Sequence, residues 1–275
     1  MRSLSTSALK TALAFLRRDF LIAASYKTAF AADALGIVFK VITFYYIGAV
    51  FGDSVAPSLQ AYGQNYFAFL IIGIALLDFV HTSLDTFSVS IRDSQMTGTL
   101  EVVLLSPIQL PHMIAYSSLW PYVFTALRFL TYVMAGVVLF GLRIAEHGIF
   151  TALVVLLLTI LCFAPLGIIS AAVIMVFKKG TWFQTVINGT SVLLAGVAYP
   201  VDVLPAWASR ISHYLPLTHS VTAMRKALLN GAGMVEVRTE LVALMVIACV
   251  LMPLSLWVFQ LSVNRTKLLG TLTQY

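Results

Sequence analysis

Residues 149–177 contain no charged side chain. That run exceeds the about 20 mostly apolar residues needed to cross a bilayer, and no water-soluble surface could carry it. Five further stretches have a similar character, at 28–52, 65–90, 112–142, 181–201 and 241–263. The one at 181–201 is the weakest and includes Asn188; Pro165 and Pro253 fall inside two of the others. The spacing predicts an all-α integral membrane protein, with six transmembrane helices in one domain over 1–275. Composition agrees: 60% of the 275 residues are hydrophobic and 10% are charged, against about 25% charged in an ordinary soluble domain. Those proportions exclude a disordered chain, and two cysteines exclude a disulfide scaffold.

The charge distribution sets an orientation. The net charge is +6, but the basic residues are not gathered into one patch, so nucleic acid is not an expected partner. Five lie in the first 27 residues: Arg2, Lys10, Arg17, Arg18 and Lys27. With both termini on one side, ten Lys and Arg fall on that side and five on the other, which predicts cytoplasmic termini. Basic residues beside the spans also suit contact with anionic membrane lipids. Within 4–26, Leu9, Leu13, Leu16 and Phe20 share one helical face, with Lys10, Arg17 and Arg18 to the side and behind. This is the pattern of an amphipathic helix lying at the membrane interface. The apolar stretch after Arg18 is shorter than the about seven to fifteen residues of a secretory signal, so no cleaved signal is expected.

Two connections are more than simple loops. The cytoplasmic stretch 91–111 contains Met96-Thr97-Gly98-Thr99-Leu100-Glu101, then Leu105-Ser106-Pro107. Thr97 or Thr99 could cap a short helix there and Pro107 would end it, a shape suited to docking a cytoplasmic partner. The external stretch 203–232 is divided by Pro205 and Pro216 into apolar pieces too short to cross a bilayer. A pair of re-entrant helices before the last span is the expectation.

Several ionisable groups lie inside the expected spans: Lys40, Asp78, His81, Asp85 and Arg128. Such groups are costly in lipid and face protein or water. Lys40 and Asp78 each lie 12 residues from a cytoplasmic span end, which puts both about 18 Å deep at 1.5 Å per residue; an intramembrane ion pair is expected between them. Asp78, His81 and Asp85 follow a three-then-four spacing and share a helix face. Together they could serve a proton relay, or simply be satisfied polar groups between helices; as a metal site they are incomplete. The many aromatics at span ends fit interface belts. No G-x-x-x-x-G-K-[ST] occurs, so the chain carries no ATP-binding P-loop, and no nucleophile or metal constellation marks a catalytic site.

Three segments together resemble one family. The stretch Met96 to Glu101 with Leu105-Ser106-Pro107 is similar to the cytoplasmic signature of type-2 ABC transporter permeases. Tyr199-Pro200, Leu204-Pro205-x-Trp207, Leu215-Pro216-Leu217-Thr218-His219 and Met224-Arg225-x-Ala227-Leu228-Leu229 resemble their re-entrant region. The N-terminal helix with Arg18-Asp19 before the first span is similar too. The resemblance implies the permease subunit of an ATP-driven exporter, itself no enzyme, in a bacterial inner membrane. It implies a homodimer, paired with a separate ATPase subunit in two copies that binds ATP and Mg. The residues it implicates at the ATPase contact are Met96, Thr97, Gly98, Thr99, Leu100, Glu101 and Leu105; in the re-entrant region they are Trp207, Pro216, His219 and Arg225. The cargo implied is an amphipathic drug, lipid or lipid-linked glycan. The alternatives are a permease specialised for polysaccharide, or a proton-coupled secondary transporter using Asp78, His81 and Asp85.

Overall fold

The computed structural model describes residues 2–55, 65–96, 116, 118–177 and 181–268. Among these residues there are nine α-helices: α1 (Arg2–Ser25), α2 (Lys27–Val55), α3 (Tyr66–Met96), α4 (Leu119–Phe140), α5 (Ile149–Phe177), α6 (Thr181–Leu194), α7 (Ala206–Ser212), α8 (Pro216–Asn230) and α9 (Arg238–Leu268). Five helical segments are long and apolar enough to cross a membrane: Phe30–Phe51, Tyr66–Val89, Leu119–Phe140, Glu146–Phe177 and Arg238–Thr266. The all-helical membrane fold expected from the hydropathy is therefore present.

The stretch 181–201 departs from expectation. Its helix stops at Leu194 after 14 residues, which is about 21 Å, short of an about 30 Å hydrocarbon core. Gly196 follows with φ +72, a left-handed conformation that ends a helix. Pro200 then leads into a short 3-10 turn at Val201–Val203. Other boundaries move less. α3 continues through 91–96, so the stretch 91–111 begins as an extension of that helix. The last helix is longer than 241–263 at both ends. The segment 203–232 does hold a helix pair, one of seven residues and one of 15, with Pro205 just before α7 and Pro216 opening α8. Proline suits that position, where its missing N–H would have no partner.

α3 is the axis of the bundle. In an apolar 18-residue window of its span 72% of the residues are buried, against 11% in the corresponding windows of α2 and α9. It packs against α2, α4, α5 and α8, while α9 lies along α5. The α3 side chains Ile71, Ile72, Leu76, Phe79 and Leu84 are almost wholly enclosed. Hydroxyl pairs tie the helices: Ser88 to Ser170 at 2.7 Å, Tyr122 to Ser83 at 2.9 Å and Thr125 to Thr82 at 2.8 Å. Between apolar helices in lipid, small residues and such polar pairs supply the specific contacts.

α1 and α2 are separated by one residue, Tyr26. α1 leans on the α4 side of the bundle through ring contacts of Phe15 with Tyr116, at 5.8 Å, and of Phe20 with Trp120, at 5.2 Å. Leu13, Phe20, Leu21 and Ile22 remain exposed.

Candidate functional site

Two groups of charged residues stand out, and they are built in opposite ways. The first lines a cleft of about 810 Å³ between α1, α2, α3 and α4. Lys40 enters it from α2, Asp78, His81, Thr82, Asp85 and Thr86 from α3, Arg128 from α4, and Arg18 with Asp19 from α1. All five ionisable residues expected inside spans thus reach one cavity. The four-residue steps from Asp78 to Thr82 and Thr86, with Asp85, make one polar stripe along an otherwise apolar helix.

Asp78 sits between two cations. Its Oδ1 is 3.9 Å from Lys40 Nζ and its Oδ2 is 3.5 Å from Arg128 Nη2. The depth count along α2 and α3 identifies Lys40, but Arg128 is a second partner that such a count does not reveal. Lys40 also faces the ring of Tyr132, 5.9 Å from its centroid. Lower in the cleft, Asp85 accepts a hydrogen bond from Gln184 Nε2 at 3.2 Å, and the same amide donates to the Leu84 carbonyl at 3.0 Å. Arg18 Nε donates to Asp19 at 2.7 Å. Asp78 and Asp85 thus have different partners. Among the described residues no group of three His, Cys, Asp or Glu is placed to hold a metal ion.

The second group centres on Arg225 in α8, 2% exposed. Its Nε and Nη2 donate to the Phe69 carbonyl at 3.1 and 2.8 Å. Nη1 donates to Gly196 O at 2.7 Å, and Nη2 also donates to Val197 O at 2.7 Å. Its Cζ also stands over the Phe69 ring, 3.2 Å from the centroid. These bonds answer a specific need. A helix leaves its last four carbonyls without partners, and irregular backbone at membrane depth must be satisfied by protein. Beyond α6, Arg225 covers the Gly196 and Val197 carbonyls, Tyr66 donates to Ala198 at 3.1 Å, and Ser212 and Tyr199 hydroxyls donate to Leu194 and Leu193. Gly73 makes room: a Cβ there would lie 2.6 Å from both Arg225 Nη2 and the Val197 oxygen.

The other expected residues of this region are scattered. Pro216 is buried at the start of α8, Trp207 is exposed on α7, and His219 Nε2 donates to the His213 carbonyl at 2.8 Å. They do not converge on Arg225. Met96 is the last residue of α3, and Thr97, Gly98, Thr99, Leu100, Glu101 and Leu105 lie outside the described residues.

Comparison with known proteins follows the same outline. The family described as ABC-2 type transporter matches residues 12–229. Nodulation protein J of Rhizobium leguminosarum bv. viciae is 28% identical over 226 residues, covering 79% of this chain and 82% of that protein. Nodulation protein J of Sinorhizobium fredii (strain NBRC 101917 / NGR234) is 28% identical over 222 residues, covering 80% and 82%. The protein of that name from Rhizobium meliloti (strain 1021) is 27% identical over 235 residues, covering 84% and 86%. The matched stretch contains both the intramembrane cleft and the Arg225 anchor, and the chain belongs to the ABC-2 type transporter family of membrane permeases, whose ATPase is a separate subunit.

Proposed function

We infer that two copies of this chain form the membrane-spanning part of an ATP-driven exporter in a bacterial inner membrane, with both termini in the cytoplasm. Two copies of an ATPase subunit would bind ATP and Mg and drive it. Residues 95–105 would dock in a groove of that ATPase, and α1, an amphipathic helix at the membrane interface, would add a second contact. The cargo would be an amphipathic molecule: a drug, a lipid or a lipid-linked glycan.

The observation that carries a transport role is the cleft. Charged groups from three helices, Lys40, Asp78 and Arg128, line an open cavity inside candidate spans. Such charges are expensive in hydrocarbon, and they are retained where water or a polar ligand shares their space. A protein built only to be a stable bundle would close that space with apolar side chains. The uncovered apolar faces of α2 and α9 leave room for a second copy and for lipid.

The test is co-purification from native membrane in mild detergent, with an ATPase assay on the eluate and Glu101→Ala alongside. A P-loop ATPase should accompany the wild type, and its association or activity should fall in the variant. A chain that purifies alone, with no ATPase activity following it, would overturn the coupling assignment.

A further inference from the structure

Lys40 and Arg128 face one carboxylate, and neither gap closes. At 3.9 and 3.5 Å both exceed the about 2.7–2.9 Å of a charge-assisted hydrogen bond. Elsewhere in the molecule Lys226 Nζ reaches Glu240 Oε1 at 2.7 Å, so the looseness is particular to this cluster. Arg128 Nε and Asp78 Oδ2 are buried atoms with no hydrogen-bond partner among the described residues. Of the other carboxylates of the cleft, Asp19 is paired with Arg18 at 2.7 Å, while Asp85 accepts from the neutral amide of Gln184 at 3.2 Å and keeps its charge. Asp85 also lies two turns from Asp78, about 10.5 Å along α3. Asp33, two turns before Lys40, is exposed on α2 and outside the cleft lining, but its charge reaches Tyr132, the ring that Lys40 faces.

Lys40 and Arg128 are thus two cations against the single carboxylate within salt-bridge distance of either. Lys40 is half-exposed, so a ligand can reach the ammonium. A planar guanidinium fork beside an ammonium is a donor set for an oxyanion with several oxygens. The cavity has the volume of a small-ligand site, about 300–1,000 Å³, and Trp120, Pro121 and Val89 give it an apolar wall for a chain to lie against.

We propose that this cleft binds the oxyanion headgroup of a membrane amphiphile, a phosphate or sulfate ester, with Lys40 and Arg128 as its two ligands and Asp78 as the group it displaces. The proposal deepens the exporter reading by giving the cargo a charge, and it rests on that reading only for the step from bound amphiphile to cargo.

Trp120 lines the cleft and serves as the reporter. The chain, with Trp182, Trp207 and Trp257 changed to Phe, is reconstituted without ATP in bilayers containing brominated phosphatidylglycerol or brominated phosphatidylcholine. The wild-type cleft should favour the anionic lipid by at least about tenfold in quenching of Trp120, the scale of one charged hydrogen bond. Lys40→Gln should bring the ratio near one. Asp78→Asn should raise it, a direction that loss of structure would not produce. Replacing chloride by inorganic phosphate at equal ionic strength should leave the ratio unchanged. A wild-type ratio near one, a ratio unaffected by Lys40→Gln, or a ratio abolished by inorganic phosphate each overturns the proposal. Because no ATPase takes part, binding can hold while ATP-driven transport is absent, and that result would sink the exporter reading alone.

Discussion

Arg225 and Arg128 are both arginines inside the membrane domain, yet their surroundings differ in every respect that sets their role. Arg225 is buried and closes four hydrogen bonds at 2.7–3.1 Å onto backbone carbonyls. Arg128 stands over a cavity, shares one carboxylate with Lys40 and leaves its Nε unpaired. The first arrangement ties the irregular backbone after α6 to α3 and α8. The second leaves charge unsatisfied beside open space. Closure marks a structural group here, and looseness marks a group kept for something that arrives.

The comparison can be broken most directly at Arg225. Arg225→Ala would leave the Phe69, Gly196 and Val197 carbonyls without these donors, at an expected cost of at least about 3 kcal/mol. Arg225→Lys should recover little, because an ammonium lacks the planar fork. Thermal unfolding in detergent reads both, and near-wild-type melting of Arg225→Ala would refute the anchor. Gly73→Ala comes next. Its Cβ meets both the pinned guanidinium and a backbone oxygen at 2.6 Å, and overpacking of that kind costs about 1–3 kcal/mol. The same melts should show it.

The Lys40–Asp78 pair should give a smaller number. With Lys40 48% exposed and the gap at 3.9 Å, a double-mutant cycle of Lys40→Ala and Asp78→Ala should return a coupling of under about 1 kcal/mol. The single changes should each destabilise, and together they should harm less than their sum. A coupling of several kcal/mol would mean a closed structural bridge and would blur the contrast with Arg225. Smallest of all, Ser88→Ala removes one hydroxyl pair with Ser170, and such bonds between membrane helices average about 0.6 kcal/mol.

How much of this was legible in the sequence follows from the kind of interaction involved. Long apolar runs report themselves, so the helices at 149–177 and 28–52 were readable to within a few residues. The end of α6 was not, because hydropathy continues through Leu194, Ala195 and Val197 while a left-handed glycine ends the helix. Lys40 and Asp78 were paired by depth, since rise per residue converts position into height. Arg128 as a second partner of Asp78 escaped because its height depends on where α4 starts, and that helix begins at Leu119. Gln184 escaped for a different reason: its contact with Asp85 depends on α6 packing beside α3, which spacing along one chain does not encode. Arg225 stood out by resemblance, yet its partners are backbone carbonyls, a group every residue carries, so no pattern of side chains could have named them.

The measurement that tests the contrast most directly is transport by the chain and its ATPase in proteoliposomes, run beside thermal unfolding, for wild type, Lys40→Gln and Arg225→Ala. Lys40→Gln should cost under about 1 kcal/mol of stability, the scale of its pair with Asp78, and lose most of its ATP-driven transport. Arg225→Ala should lose stability first and transport with it. Wild-type transport in Lys40→Gln, or a loss of stability there as large as that of Arg225→Ala, would contradict the assignment of the cleft to function and the buried arginine to structure.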